Sequence, residues 1–221
     1  MRNVLLAGVG GQGTVLAAKV LAQAAEDKGW QVRTAETIGM AQRGGSVVSH
    51  VRMGDEGEEV LSPLLSPGTA DLIVAFEPAE AARVVPFLGV GGTLVTATTA
   101  LQPVTAALSK SPYRAEAVIS RLREQLGGSS TFVAVDDGAL CAEAGSRKVL
   151  NTLLLATALA TGCLPLDLDD LRRAIKACVK PRFVALNLSA IDAVDPARPD
   201  GADPARRDAR DPARRDAADF A

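Results

Sequence analysis

An apolar run, a glycine-rich turn and a long alanine-rich stretch, in that order, restrict what this chain can fold into more than any other feature. "RNVLLAG" (2–8) reads as a buried strand, and "TVLAAKVLAQAAEDKG" (14–29) reads as a helix that stops at Gly29. Between them, "GVGGQG" spans Gly8 to Gly13, with Gly8, Gly10 and Gly13 in a G-x-G-x-x-G pattern and Gly11 and Gln12 inside it. Glycines in that setting let the backbone turn tightly. They leave N–H groups and the positive end of the helix dipole facing an anion, usually a phosphate. The same glycines also allow close helix–sheet packing with no ligand, and both readings stand because a fold does not determine a function. Glu36 closes the second strand, about where an acid would hold the ribose of a dinucleotide.

The rest of the chain keeps the same alternation. Strands are expected at 31–36, 46–53, 71–77, 92–98 and 131–136, and helices at about 78–88, 113–126, 146–161, 167–178 and 182–193. Apolar, non-alternating strands interleaved with helices imply an α/β fold with a doubly wound, Rossmann-like, mostly parallel sheet and a helical C-terminal part. "VRMGDEGEEVLSPLL" suggests an added hairpin turning at Gly54-Asp55.

Composition narrows the function. A hydrophobic content of 48% in 221 residues supports a substantial core, and a net charge of −2 offers no basic field for nucleic acid or an anionic membrane. The longest apolar runs are too short or too interrupted to span a bilayer. The start of the chain reads as a first strand, not a signal peptide. Cys141, Cys163 and Cys178 are odd in number and widely spaced, which argues against a disulfide framework or a dedicated metal site and favours a reduced, cytoplasmic setting. These cysteines read as packing residues. His50, the single histidine, reads as a hydrogen-bonded strand residue in preference to a general base. Glu77 and Glu80 look like a strand-end acid and a helix N-terminal charge that could still face a ligand at the carboxyl edge of the sheet.

From Asp195 the composition changes. "DPARPDGA", "DPARRDAR" and "DPARRDAA" begin at Asp195, Asp203 and Asp211, with six Arg against seven Asp and almost no apolar side chain but alanine. A segment like this buries too little to offset its ordering entropy, so 195–221 is expected to be a disordered tail behind a domain at 1–194.

A second glycine motif, "TIGMAQRGGSVVSHV", carries Gly39, Gln42, Arg43, Gly44 and Gly45 directly ahead of a strand. The glycines suit close approach to another surface, while Gln42 and Arg43 supply donors for a carboxylate, a phosphate or a carbonyl. "GVGGQG", "ETIGMAQRGGSVVSHVR" and "DLIVAFEPAEAAR" together resemble the gamma subunit or domain of 2-oxoacid:ferredoxin oxidoreductases, and within it the small (beta) subunit of the indolepyruvate branch. The resemblance covers about residues 3–194 and leaves the tail out.

The resemblance implies a subunit of an enzyme that oxidatively decarboxylates a 2-oxoacid, here an arylpyruvate, to an acyl-CoA while reducing ferredoxin. Thiamine diphosphate with Mg and the 4Fe-4S clusters would then sit in a large (alpha) partner subunit. This chain has neither a Gly-Asp-Gly…Asn thiamine signature nor a cluster set of cysteines. The catalytic residues of this chain stay unassigned. The resemblance also implies that the loop from Gly39 to Gly45 presents Gln42 and Arg43 to the partner's cleft or to coenzyme A. Two alternatives stay open: a free-standing NAD(P)-binding reductase that uses the Gly8–Gly13 loop, and a ligand-free assembly or regulatory subunit.

Overall fold

The computed structural model describes residues 1–38, 44–101 and 113–195. Among them six strands, β1 (Arg2–Val9), β2 (Gln31–Ile38), β3 (Ser46–Gly54), β4 (Ala70–Ala75), β5 (Leu88–Ala97) and β6 (Thr131–Val135), join in one sheet of order β2-β3-β1-β4-β5-β6. β1, β4, β5 and β6 pair in parallel, whereas β3 runs antiparallel to both β1 and β2. The helices are α1 (Thr14–Glu26), α2 (Pro78–Val84), α3 (Ala115–Leu126), α4 (Asp137–Glu143), α5 (Leu150–Ala160), α6 (Leu168–Cys178) and α7 (Pro181–Asp192). This is the doubly wound, mostly parallel architecture that the alternating pattern predicts.

The period of the strands divides the core in two. Val4, Leu6, Leu72 and Val74 point to the face covered by α1, α5, α6 and α7, while Leu5, Ala7, Ile73 and Ala75 point to the face covered by α2 and α3. α1 lies close to the sheet because Ala17, Ala18, Ala24 and Ala25 present no bulk. α5 is buried from Leu150 to Leu159 on every side, which explains why "LNTLLLATALA" shows no polar stripe. A fully buried leucine of this kind contributes about 1.5–3 kcal/mol.

Three expectations need correction. An added hairpin is present, but β2 and β3 form it, not β3 and a strand after Gly54. Both edges of β3 are already paired, one to β1 and one to β2, so a returning strand has no edge to join. The chain instead crosses as a strap, held where the His50 Nδ1 accepts the Leu65 N–H and the Arg52 guanidinium donates to the Ser62 carbonyl. α4 was not expected at all, although the Asp136 carboxylate caps it from the Ala139 N–H and Gly145 follows it. The helix expected at 146–161 begins as a single tight turn, Arg147–Val149, before α5 starts.

Candidate functional site

The carboxyl ends of β1, β4, β5 and β6 and the start of β3 lie along one edge of the sheet. The chain winds one way from β1 through α1 to β2, and, after β3, the other way across β1 to β4 and β5. The gap beside the end of β1 is therefore the switch point at which open α/β sheets hold ligands.

Both glycine motifs meet there. The Gly10 N–H donates to the Gly45 carbonyl at 2.8 Å. Gly11 and Gly13 take φ of 104° and 83°, left-handed values that favour glycine, and Gly13 caps α1 without a side-chain hydrogen bond. A Cβ on Gly8 would come within 2.8 Å of the Thr14 Oγ1 and 2.9 Å of the Phe76 ring. Gln12 is committed to the fold: its Oε1 accepts the Val9 N–H at 2.7 Å and its Nε2 donates to the Phe76 carbonyl at 2.7 Å. The amide thus straps the ends of β1 and β4 together. Beneath the loop the Thr14 hydroxyl is buried with no hydrogen-bond partner among the described residues. Gly39, Gln42 and Arg43 lie outside the described residues, while Gly44, with φ of 83°, and Gly45 lead into β3.

Glu36 is set apart from this assembly. It pairs with Ser49, which pairs in turn with Leu6, so β3 stands between Glu36 and the Gly8–Gly13 loop. Two strand spacings amount to roughly 10 Å. An acid that held a ribose beside the loop would have to stand on the adjacent strand, so the expected ribose position is not met.

The two glutamates serve the frame. Glu77, 2% exposed, caps α2 by accepting the Ala79 and Glu80 N–H groups through Oε2. Burial and the Glu77 carboxylate push the pKa of the Tyr113 hydroxyl up. Glu80 accepts the Ser46 hydroxyl at 2.5 Å and pairs with Arg83, tying the start of β3 to α2.

On the other side of the Gly8–Gly13 loop, a cleft of about 260 Å³ is lined by Gly11, Gly13, Leu16, Leu101, Arg147, Lys148 and Asn151 among others. Arg147 is oriented by Asp137, which is fully buried. The carboxylate takes Arg147 Nη2 at 2.9 Å on one oxygen and the Thr98 and Thr99 N–H groups, at 3.0 and 2.8 Å, on the other. Lys148 extends over the Phe183 ring at 5.6 Å. The N-terminus of α1, which has no acidic residue in its first turn, therefore faces a cleft with two cations and two exposed leucines, Leu16 and Leu101. That combination suits an anionic group attached to an apolar chain. The sequence reading missed Arg147, Lys148 and Asn151, and the Arg-Lys pair just after Gly145 was the available signal.

His50 is buried on β3 and accepts the Leu65 N–H, with the Phe87 ring edge-on to it at 6.0 Å. Cys141, Cys163 and Cys178 are free thiols at separate places, and burial raises the pKa of each. Among the described residues no three His, Cys, Asp or Glu side chains converge as metal ligands, so an iron–sulfur cluster does not fit this cysteine arrangement. No helix among them is long and apolar enough to cross a membrane.

The fold and site thus define a Rossmann-like α/β module whose carboxyl edge carries the Gly8–Gly13 loop, tied to Gly45. Residues 3–194 match the pyruvate ferredoxin/flavodoxin oxidoreductase family, and the chain belongs to it. It is 36% identical over 191 residues to the indolepyruvate oxidoreductase subunit IorB of Pyrococcus horikoshii, covering 86% of this chain and 92% of that one. Its fold is similar to that of the gamma subunit of a keto/oxoacid ferredoxin oxidoreductase from Geobacter sulfurreducens, with a TM-score of 0.61, 22% identity and coverage of 87% and 95%. The 2-oxoglutarate:ferredoxin oxidoreductase of Magnetococcus marinus, described with 2-oxoglutarate, coenzyme A and succinyl-CoA bound, shares the fold at a TM-score of 0.63 and 16% identity. The match there covers 86% of this chain and 30% of that one.

Proposed function

We propose that this chain is the small subunit of a 2-oxoacid:ferredoxin oxidoreductase acting on indolepyruvate or a related arylpyruvate. The complex would decarboxylate the 2-oxoacid oxidatively, form an acyl-CoA and pass the electrons to ferredoxin. Thiamine diphosphate, Mg and the 4Fe-4S clusters belong to a large partner subunit, and the chain alone is inactive. The site contains Gly8, Gly10, Gly11, Gln12, Gly13, Gly44 and Gly45, with Gly39, Gln42 and Arg43 assigned from the sequence motif. Within this reading the basic cleft beside α1 takes the phosphate end of coenzyme A, and Leu16 and Leu101 lie against its apolar arm.

The observation that carries the reading is the Gly10–Gly45 hydrogen bond, which joins the common phosphate-type loop to the family-specific loop at one sheet edge. The displaced Glu36 disfavours the free-standing dinucleotide reductase. A test is to reconstitute the complex with Lys148→Gln and, separately, Arg43→Lys. Both should raise the apparent KM for coenzyme A while the KM for the 2-oxoacid stays put. The reading fails if the isolated chain turns over arylpyruvate, or if both variants keep wild-type coenzyme A kinetics and wild-type subunit association.

A further inference from the structure

Three polar side chains are buried along α5, and two of them are satisfied within the protein. The Thr152 hydroxyl donates to the Asn187 Oδ1 at 2.5 Å, and the Thr157 hydroxyl donates to the Leu153 carbonyl at 2.9 Å. Asn151, 5% exposed, is the exception: its carboxamide has no hydrogen-bond partner among the described residues. Buried polar side chains nearly always have a partner, so this one calls for a partner from outside the chain.

The position of the amide narrows what that partner is. Asn151 lines the cleft beside α1, and its Nδ2 stands 3.0 Å from where a Cβ on Gly13 would lie. The donor end therefore rests against the residue that caps α1, a helix end with no acidic residue in its first turn and no side-chain cap. Arg147 and Lys148 precede Asn151 by four and three residues and line the same cleft. A neutral donor set between a positive helix end and two cations suits an anion that offers several oxygens. Leu16 and Leu101 add an apolar wall. In coenzyme A the phosphoryl groups next to the apolar arm are those of the diphosphate, whereas the 3′-phosphate hangs from the ribose beyond them.

Resting on the coenzyme A reading above, we propose that Asn151 is a specificity-determining residue of the cleft, its Nδ2–H donating to the diphosphate at the head of α1. Arg147 and Lys148 supply attraction to any anion. The amide adds direction, because its one buried donor is met only by an oxygen seated against Gly13.

Asn151→Leu, close in shape, removes the amide, and two readouts separate a ligand contact from a structural role. In the reconstituted complex the variant should raise the apparent KM for coenzyme A roughly tenfold, the loss expected for one hydrogen bond to a charged group, while the KM for the 2-oxoacid stays put. The unliganded full chain should melt no lower than wild type, since no hydrogen bond within the protein is lost. Asn151→Asp, which keeps the shape and sets a negative charge against the diphosphate, should raise the coenzyme A constant further. Dephospho-coenzyme A, which lacks the 3′-phosphate, should suffer the same factor in Asn151→Leu. The proposal is overturned if Asn151→Leu keeps the wild-type KM for coenzyme A while Lys148→Gln raises it, an outcome that leaves the coenzyme A reading standing. A lower melting temperature in Asn151→Leu would make the amide a structural partner, and an effect that vanishes with dephospho-coenzyme A would move the contact to the 3′-phosphate; either overturns it. Wild-type constants in both Lys148→Gln and Asn151→Leu would overturn the reading and the proposal together.

Discussion

The backbone N–H of Gly10 and the carbonyl of Gly45, 2.8 Å apart, hold together two loops that lie far apart in sequence. The first is closed from below by Gln12, and the second starts β3, whose Ser46 is held by Glu80. Disturbing either support should therefore register in both loops.

Gln12→Glu tests the lower support. The carboxylate can still accept the Val9 N–H, but it cannot donate to Phe76 and would face that carbonyl instead. A loss of about 1–3 kcal/mol is expected in urea unfolding, from the lost donor and the unsatisfied carbonyl. Gln12→Leu, with no charge against the carbonyl, should lose stability as well, because the Val9 N–H then has no acceptor. Wild-type stability in Gln12→Glu would show that the strap is dispensable.

Gly8→Ala tests space, since Gly8 lies in the strand. The new methyl would overlap the Thr14 hydroxyl, the Phe76 ring and the Gln12 amide, each within 3.0 Å. Overpacking of this kind costs about 1–3 kcal/mol. At Gly11 nothing lies within 4 Å of an added Cβ, and the cost of Gly11→Ala should be that of a positive φ, about 1–2 kcal/mol. Thermal unfolding of the two variants, alongside amide shifts of Gly45, would separate collision from strain: only Gly8→Ala should push the Gln12 strap aside.

These two sites show how far the sequence could be read. Strand, glycine turn and helix were legible from residues 2–29 because their signals are local: an apolar run, a spacing of glycines, an alanine-rich stretch. The insertion of β3 between β1 and β2 was not legible, because antiparallel pairing across a long connection leaves no local mark on Glu36 or Ser49. Nor was the cleft, since Arg147 and Lys148 reach the Gly8–Gly13 loop only through the packing of α5 against the sheet. Helix α4 was missed because Gly138 sits in its first turn and weakens the helical pattern.

His50 gives a pH dependence. Burial lowers its pKa below the ordinary 6.5. The unfolded chain therefore takes up a proton at this group first as the pH falls, so the His50 contribution to stability should be constant above about pH 7.5 and decline as the pH drops through 6.5 toward the folded value. In His50→Gln that part of the decline should vanish. Urea midpoints at several pH values would check this, and identical slopes for wild type and variant between pH 7 and 5 would refute it.

Removing residues 196–221 should change stability by no more than about 0.5 kcal/mol, since a segment with almost no apolar side chain but alanine has little to bury. Removing Asp195 as well takes one carboxylate from a partly exposed guanidinium that keeps Asp169 and Asp192, and should cost at most about 1 kcal/mol more. Parallel melting curves of chains ending at 194, 195 and 221 would measure both steps. A large drop on the first cut would mean that the tail packs on the domain.

The inserted strand β3 also sets a scale for whatever lies on the ligand edge. In an uninterrupted doubly wound sheet the loop after β1 and the end of β2 are neighbours, and a nucleotide can bridge them. Here they are a strand further apart, with β3 between them. In the function proposed above, a molecule seated on the α1 N-terminus would have Gly45, held by Gly10, on the β3 side and Leu101 and Lys148 across the cleft. In that function, the width of one strand would thus turn an edge suited to two-ended nucleotide capture into one that holds its ligand by one end and leaves the other end pointing outward.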